Sequence, residues 1–366
     1  MSAGSSRLRQ LLVPLLAFLA QRLVLAAAAL ASGHDPLAPS SYVRWDSVFY
    51  LDIAEHGYAP LVSCPPESHY LPSAWCGNAG WFPGFAWLLK PAALLGLSLP
   101  ATAVAVCAAA QLGVLVLLWR CLDDERQWPA PGTAAFFPGN VYLAAAFPTP
   151  VFLLAALACL AACWSRRFVL AGIAGAVAAL CYPTGVLLAP VILLWSLLQR
   201  VRRAAWVAAA VLVGFALVLA VMQLEAGSWT AYFKIQAKYG YGPGLGIDTL
   251  LAHLKPLVNP RYRSAKGIVT GVQTLLTLAL LASICFRWRR LLASPRDALL
   301  VIYTGAFWLA PLMLGGNLAL HRSEALLLPA TLLLPDFPRG AQRAALACAI
   351  LLSFPMALLF FQGLLV

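Results

Sequence analysis

Apolar runs of 15–22 residues follow one another along most of the chain, and two polar stretches, about 33–80 and 223–267, interrupt them. Runs of that length without strict alternation predict membrane-spanning helices rather than barrel strands. In lipid the backbone N–H and C=O groups have no water to bond, and a helix satisfies them within its own segment. Leu11–Ser32 is the first such run; its 22 residues rise about 33 Å, enough to span. It follows Arg7 and Arg9, as a signal peptide would, but it exceeds a usual h-region and Arg22 interrupts it, so it reads as a retained span. Further spans are predicted at 100–119, 133–148, 150–165, 168–182, 185–199, 204–222, 268–286, 298–315, 322–335 and 342–362.

Composition agrees with the pattern. The chain is 62% hydrophobic and 10% charged, against roughly 25% charged for a soluble domain. The net charge of +12 does not point to nucleic acid, because the cations sit in short clusters between apolar runs. Those clusters are Arg7/Arg9, Arg120/Arg126, Arg166/Arg167, Arg200/Arg202/Arg203, Arg287/Arg289/Arg290/Arg296 and Arg339/Arg343. Placing them all in the cytoplasm orients the chain by the positive-inside rule, with the N-terminus inside. Parity then allows one crossing between the first polar stretch and Arg120, although two apolar runs lie there. Trp81–Leu97, rich in aromatics, Pro and Gly, is accordingly read as a half-inserted juxtamembrane helix. The expectation is an all-α integral membrane protein of about eleven spans in one domain, residues 1–366. Loops 33–99 and 223–267 lie outside, in a bacterial plasma membrane or, for a eukaryotic chain, that of the endoplasmic reticulum.

Acids, histidines and aromatics collect on the outer face. Ser41–Tyr58 holds three of the thirteen carboxylates. Asp46 opens a short helical segment closed by Gly57, a residue suited to ending a helix. At 100° per residue Asp46 shares a face with Tyr50, and Asp52 shares one with Glu55 and His56, so a paired-carboxylate hydrolase is disfavoured. Asp46 reads as a general base or as an N-cap; Asp52, Glu55 and His56 read as a solvated face. Trp45, Phe49 and Ile53 are expected to dip into the membrane interface.

In the second loop Lys234 and Lys238, four apart, are candidates for a lipid phosphate, with Tyr232, Phe233 and Tyr239 at the lipid boundary and a Gly/Pro run after them as a lid. Arg44 and Arg322 are further phosphate candidates; the other reading of Arg322 is an internal pair with Glu324. Trp45, Tyr50, His56, Tyr58, Gln236 and His321 are candidate substrate contacts. Cys64 and Cys76, both in the first outer loop, can pair in an oxidising compartment. No metal-ligand spacing is present, no cofactor is indicated, and a divalent metal is left open.

Trp45-Asp46, Ile53-Ala-Glu-His-Gly-Tyr58, Trp81-Phe-Pro-Gly-Phe85, Pro138-Gly-Asn-Val-Tyr-Leu-Ala-Ala-Ala146, Ala171–Gly185 and Phe233–Gly240 occur in that order. Together they resemble the phosphatidylinositol-glycan class V family, the second mannosyltransferase of GPI-anchor synthesis, and its bacterial relatives. The resemblance implies a GT-C fold and an inverting transfer of mannose from polyprenyl-phosphate-mannose to a lipid or glycan acceptor. It places the catalytic acid at Asp46. Two positions depart from the family pattern: Thr149 stands where the family has Glu, and Tyr182 where it has Arg. An inactive lipid-sugar-binding subunit is therefore one alternative, and a lipid or solute transporter is another.

Overall fold

The computed structural model describes residues 3–68, 70–71, 73–122, 127–240, 246–314 and 319–365, with side chains from residue 11 onward. The side chains of Arg7 and Arg9, together with His69, Arg126, most of the Gly/Pro run and the stretch 315–318, lie outside the described residues.

The protein is all-helical apart from a two-stranded antiparallel hairpin, Val62–Ser63 with Trp75–Cys76. Among the described residues six helices are long and apolar enough to cross a membrane: Leu11–Ala31, Leu99–Arg120, Arg202–Ala226, Ala265–Phe286, Pro295–Leu314 and Arg339–Phe361. Three shorter apolar helices, Thr149–Trp164, Phe168–Cys181 and Pro183–Leu198, pack among them.

Two expected spans take another form. Residues 133–148 are split into Pro129–Ala135 and Val141–Ala144. The break falls at Pro138-Gly139; proline cannot donate to the helical ladder, and Gly139 sits at φ +78. Residues 322–335 form a short helix, Leu320–Glu324, and then a 3-10 run, Ala325–Asp336, that contains Pro329 and Pro335. A 3-10 run of twelve residues is unusual. All but its last two residues are buried, and this element fills the middle of the bundle where a regular span was expected.

The first loop packs on the bundle more closely than an interfacial loop would. Helix Pro83–Leu94 lies across the end of Phe168–Cys181. Gly84 makes that approach possible: a Cβ there would stand 2.7 Å from the Leu180 carbonyl carbon. Trp81, Phe82 and Phe85 are buried in protein, and Trp87, Leu88 and Leu94 form the exposed face. The residues expected to dip into lipid also face inward. Phe49 stacks on Trp81 with ring centroids 3.6 Å apart, Ile53 is buried, and Trp45 meets Phe360 edge-on at 5.2 Å. Tyr232 likewise packs against Phe82, at 5.1 Å, while Phe233 is exposed.

Candidate active site

The helix Ser47–His56 carries Asp46 at its N-cap position. Capping by the Asp46 side chain is excluded: it makes no cap hydrogen bond, and its backbone is already helical at φ −61, ψ −18. Ser47 takes up the turn instead, its Oγ accepting from the Arg44 N–H at 3.2 Å. Trp45 stands at φ +44, a region that bulky residues rarely enter, and is held there against Phe360. After this kink the Asp46 carboxylate makes no bond to its own helix.

The carboxylate meets Arg322, whose guanidinium donates to Asp46 Oδ2 from 276 residues away. The expected Arg322–Glu324 pair does not form. The guanidinium also lies beside the Tyr182 side chain and over the Phe147 ring, 5.5 Å from its centroid. Both charged side chains keep access to solvent, Asp46 at 22% and Arg322 at 32% exposed. Tyr50 is buried below, edge-on to Phe85 at 5.6 Å. Burial, with the Asp46 charge adding to it, pushes the Tyr50 phenol well above the usual tyrosine range, so it stays a neutral neighbour.

The segment at the broken span braces this turn. His321 Nε2 is bonded to the Tyr142 hydroxyl at 2.9 Å, and the His321 carbonyl accepts from Gln273 Nε2 at 2.6 Å. Asn140 Nδ2 donates to Ser353 Oγ at 2.9 Å, tying the same segment to Arg339–Phe361. Gly139 permits the contact: a Cβ there would stand 2.9 Å from both the His321 carbonyl oxygen and the Ala325 Cβ. Gly139→Ala is expected to cost about 1–2 kcal/mol in left-handed backbone strain, and about 1–3 more in overpacking. Thermal unfolding of the purified variant in detergent measures the loss, and an unchanged midpoint would contradict this close approach.

The other candidate residues are placed apart from Asp46. Arg44 Nη2 bonds His34 Nε2 at 3.0 Å and donates to the Phe361 carbonyl at 3.4 Å. His56 Nδ1 pairs with Asp52 Oδ1 at 3.0 Å on the surface. Asp52 Oδ2 accepts from Asn78 Nδ2 at 2.7 Å, so this acid anchors the loop rather than merely facing solvent. The Tyr58 hydroxyl donates to the Trp81 carbonyl at 2.6 Å, and Gln236 Nε2 donates to the Gly80 carbonyl at 2.7 Å.

Cys64 and Cys76 are joined in a disulfide that closes the hairpin. Lys234 lies over Trp75 at 5.5 Å, and Lys238 lies over Tyr70 at 4.8 Å and 3.8 Å from Cys76 Sγ. Partial burial lowers the Lys238 ammonium below the usual lysine range. The two lysines thus sit on the hairpin, and no contact joins them to Asp46 or Arg322 among the described residues. Thr149 is buried without a charge.

A large cavity lies elsewhere. It holds about 1150 Å³ beside Arg120, Arg167 and Arg296, residues expected on the cytoplasmic side. A second, apolar groove of about 290 Å³ runs between Ala265–Phe286 and Arg339–Phe361, lined by Leu276, Leu280, Ala345 and Ala349. Sequence reasoning assigned no partner to His34 or His253; here His34 binds Arg44, and the His253 ring lies 6.5 Å from that of His321. These contacts span far-separated segments, so no local signal marked them. No protein-family model and no curated protein matches the chain.

Proposed function

We propose that this chain is a membrane glycosyltransferase that uses a polyprenyl-phosphate sugar, mannose by the resemblance, and Asp46 as its base. One observation carries the reading: the Asp46 carboxylate is released from capping and held by Arg322 at a partly open site. Free of a cap and only partly buried, this carboxylate is open to an acceptor hydroxyl in a way a sealed ion pair would not be. The acceptor is a lipid or glycan hydroxyl on the outer face, and the fold is a GT-C bundle of about eleven crossings. The short helix Leu320–Glu324 with its 3-10 run supports one of those crossings. At about 1.5 and 2.0 Å per residue the two together rise about 31 Å.

Phosphate and carboxylate compete for the same guanidinium. Arg322 N–H groups turn from Asp46 to the donor phosphate, and the freed Asp46 oxygen takes the acceptor hydroxyl proton. The acceptor oxygen bonds the anomeric carbon from the face opposite the phosphate, and the bond from that carbon to the phosphate oxygen breaks. The departing phosphate leaves as an anion held by Arg322 and needs no proton, so one carboxylate suffices. Lys234 and Lys238, on the second loop where it packs against the hairpin, draw the anionic donor to the outer face. The groove between Ala265–Phe286 and Arg339–Phe361 suits an isoprenoid tail.

The test is incubation of the purified protein with radiolabelled polyprenyl-phosphate-mannose and a mixture of lipid and glycan acceptors. Absence of labelled product from every acceptor sinks the reading. A second reading, a binding subunit without turnover, is favoured by Thr149 and Tyr182 in place of the family's Glu and Arg. It predicts saturable retention of the labelled donor with no product.

A further inference from the structure

One group of buried side chains takes no part in the proton or phosphate chemistry, although one member, Thr277, also lines the apolar groove assigned to the lipid tail. Glu324 ends the helix Leu320–Glu324 and is 1% exposed. Beside it, on Ala265–Phe286, lie Gln273 and Thr274, with Thr277 one turn further on; all three are buried. Positions 273, 274 and 277 fall on one helical face. Neither Glu324 oxygen is met by a well-aligned donor. Gln273 gives one amide N–H to the His321 carbonyl, its other N–H comes up to the Glu324 carboxylate without good alignment, and its Oε1 is left unpaired. The Thr274 hydroxyl approaches the Glu324 carboxylate without a well-aligned hydrogen bond, and the Thr277 hydroxyl has no partner. Thr270, one turn earlier, shows the ordinary arrangement, its hydroxyl donating to the Lys266 carbonyl at 2.9 Å. Five acceptor oxygens are therefore sealed in the bundle: Gln273 Oε1, Thr274 Oγ1, Thr277 Oγ1 and both of Glu324.

We propose that these oxygens form a site for one dehydrated monovalent cation of sodium's size, bridging Leu320–Glu324 and Ala265–Phe286. A buried carboxylate without a countercharge is costly, and so is each unbonded polar atom. One cation answers both. The donor set indicates the ion's class. Hard oxygens exclude soft metals, and the one nearby unpaired nitrogen, His321 Nδ1, with a single carboxylate falls short of a transition-metal set. Calcium sites gather several carboxylates among six to eight oxygens, whereas this site has one carboxylate. Arg322, two residues before Glu324, and the charge of Lys266, felt at His321, disfavour a divalent ion further. The ion cross-links the turn that presents Arg322 to Asp46, so it fixes the geometry of that pair. The proposal does not depend on glycosyl transfer.

The test is thermal unfolding of the full chain in detergent, at one pH and constant ionic strength, in sodium chloride, choline chloride or magnesium chloride. The midpoint is expected to rise saturably with sodium, because an ion bound only to the folded state stabilises it by mass action. Glu324→Gln is expected to abolish that rise, and Thr277→Val to move it to higher sodium. Equal midpoints in sodium and choline would overturn the site and make Glu324 a buried neutral acid. A response to magnesium alone would overturn the monovalent assignment. A sodium response retained by Glu324→Gln would place the ion elsewhere. Should Glu324→Gln fail to fold, Thr277→Val decides: an unshifted sodium midpoint overturns the proposal.

Discussion

Replacing Asp46 by Asn is expected to lower glycosyl transfer by about 10²–10⁴-fold, the usual contribution of a general base. Asn keeps the volume and offers Arg322 an amide oxygen in place of Oδ2, so the fold should survive. What is lost is the ability to accept the acceptor's proton. The loss should therefore fall on kcat, with the KM for the polyprenyl-phosphate sugar nearly unchanged. Asp52→Asn is the control. Asp52 lies on the same helix, but its side chain is 47% exposed and is bonded to His56 and Asn78 rather than to Arg322. That change should cost about 1 kcal/mol of stability and leave kcat near wild type. Full transfer activity in Asp46→Asn would remove Asp46 from the chemistry, whatever its surroundings.

The parts legible in the sequence are those where local composition decides. Apolar length placed Leu99–Arg120, Ala265–Phe286, Pro295–Leu314 and Arg339–Phe361 to within a few residues of the expected spans. Hydropathy averaged over 133–148 and 322–335 gave the same reading, because a window does not register how a single backbone break acts. At Pro138-Gly139 and at Pro329 that break overrides the average, and tertiary packing buries the resulting short pieces. The aromatics of the first loop misled for a related reason. Trp and Phe suit both a membrane interface and a protein core, and only the position of Pro83–Leu94 against Phe168–Cys181 decides between them.

For the candidate site, the sequence marked Asp46 and Arg322 individually. Their pairing was hidden because they are 276 residues apart and each had a closer alternative, a helix cap for one and Glu324 for the other. The rejection of the cap rests on the helical backbone of Asp46 and its missing cap bond, which follow a left-handed Trp45 at φ +44, and no residue pattern reports such backbone angles. Tyr182 carries a similar lesson. Against the family pattern it reads as a lost arginine, yet in space it lies beside Arg322, so a guanidinium reaches this corner from another segment. That substitution across segments cannot be read position by position.

The strongest separation of structural from chemical roles is expected at Arg322. Arg322→Ala leaves the Asp46 carboxylate, 22% exposed, without its partner. Breaking a fully buried pair in this way costs roughly 3–5 kcal/mol, and the partial exposure here should hold the loss below that range. Transfer should fall about 10²–10³-fold as well, as when one preorganised donor to a developing anion is removed. Arg322→Lys keeps the charge but not the planar fork, and should recover stability more than rate. Asp46→Asn combined with Arg322→Ala distinguishes the two effects. With no carboxylate left unpaired, the double variant should be more stable than Arg322→Ala alone, while transfer stays at the level of Asp46→Asn or below. Thermal unfolding and labelled-donor transfer on the four proteins of this cycle measure both couplings. Additive stabilities would mean that the pair contributes nothing to the fold. Full transfer by Arg322→Ala would mean that the phosphate is held by another group, and Lys234 and Lys238 of the second loop would then be the cations to replace.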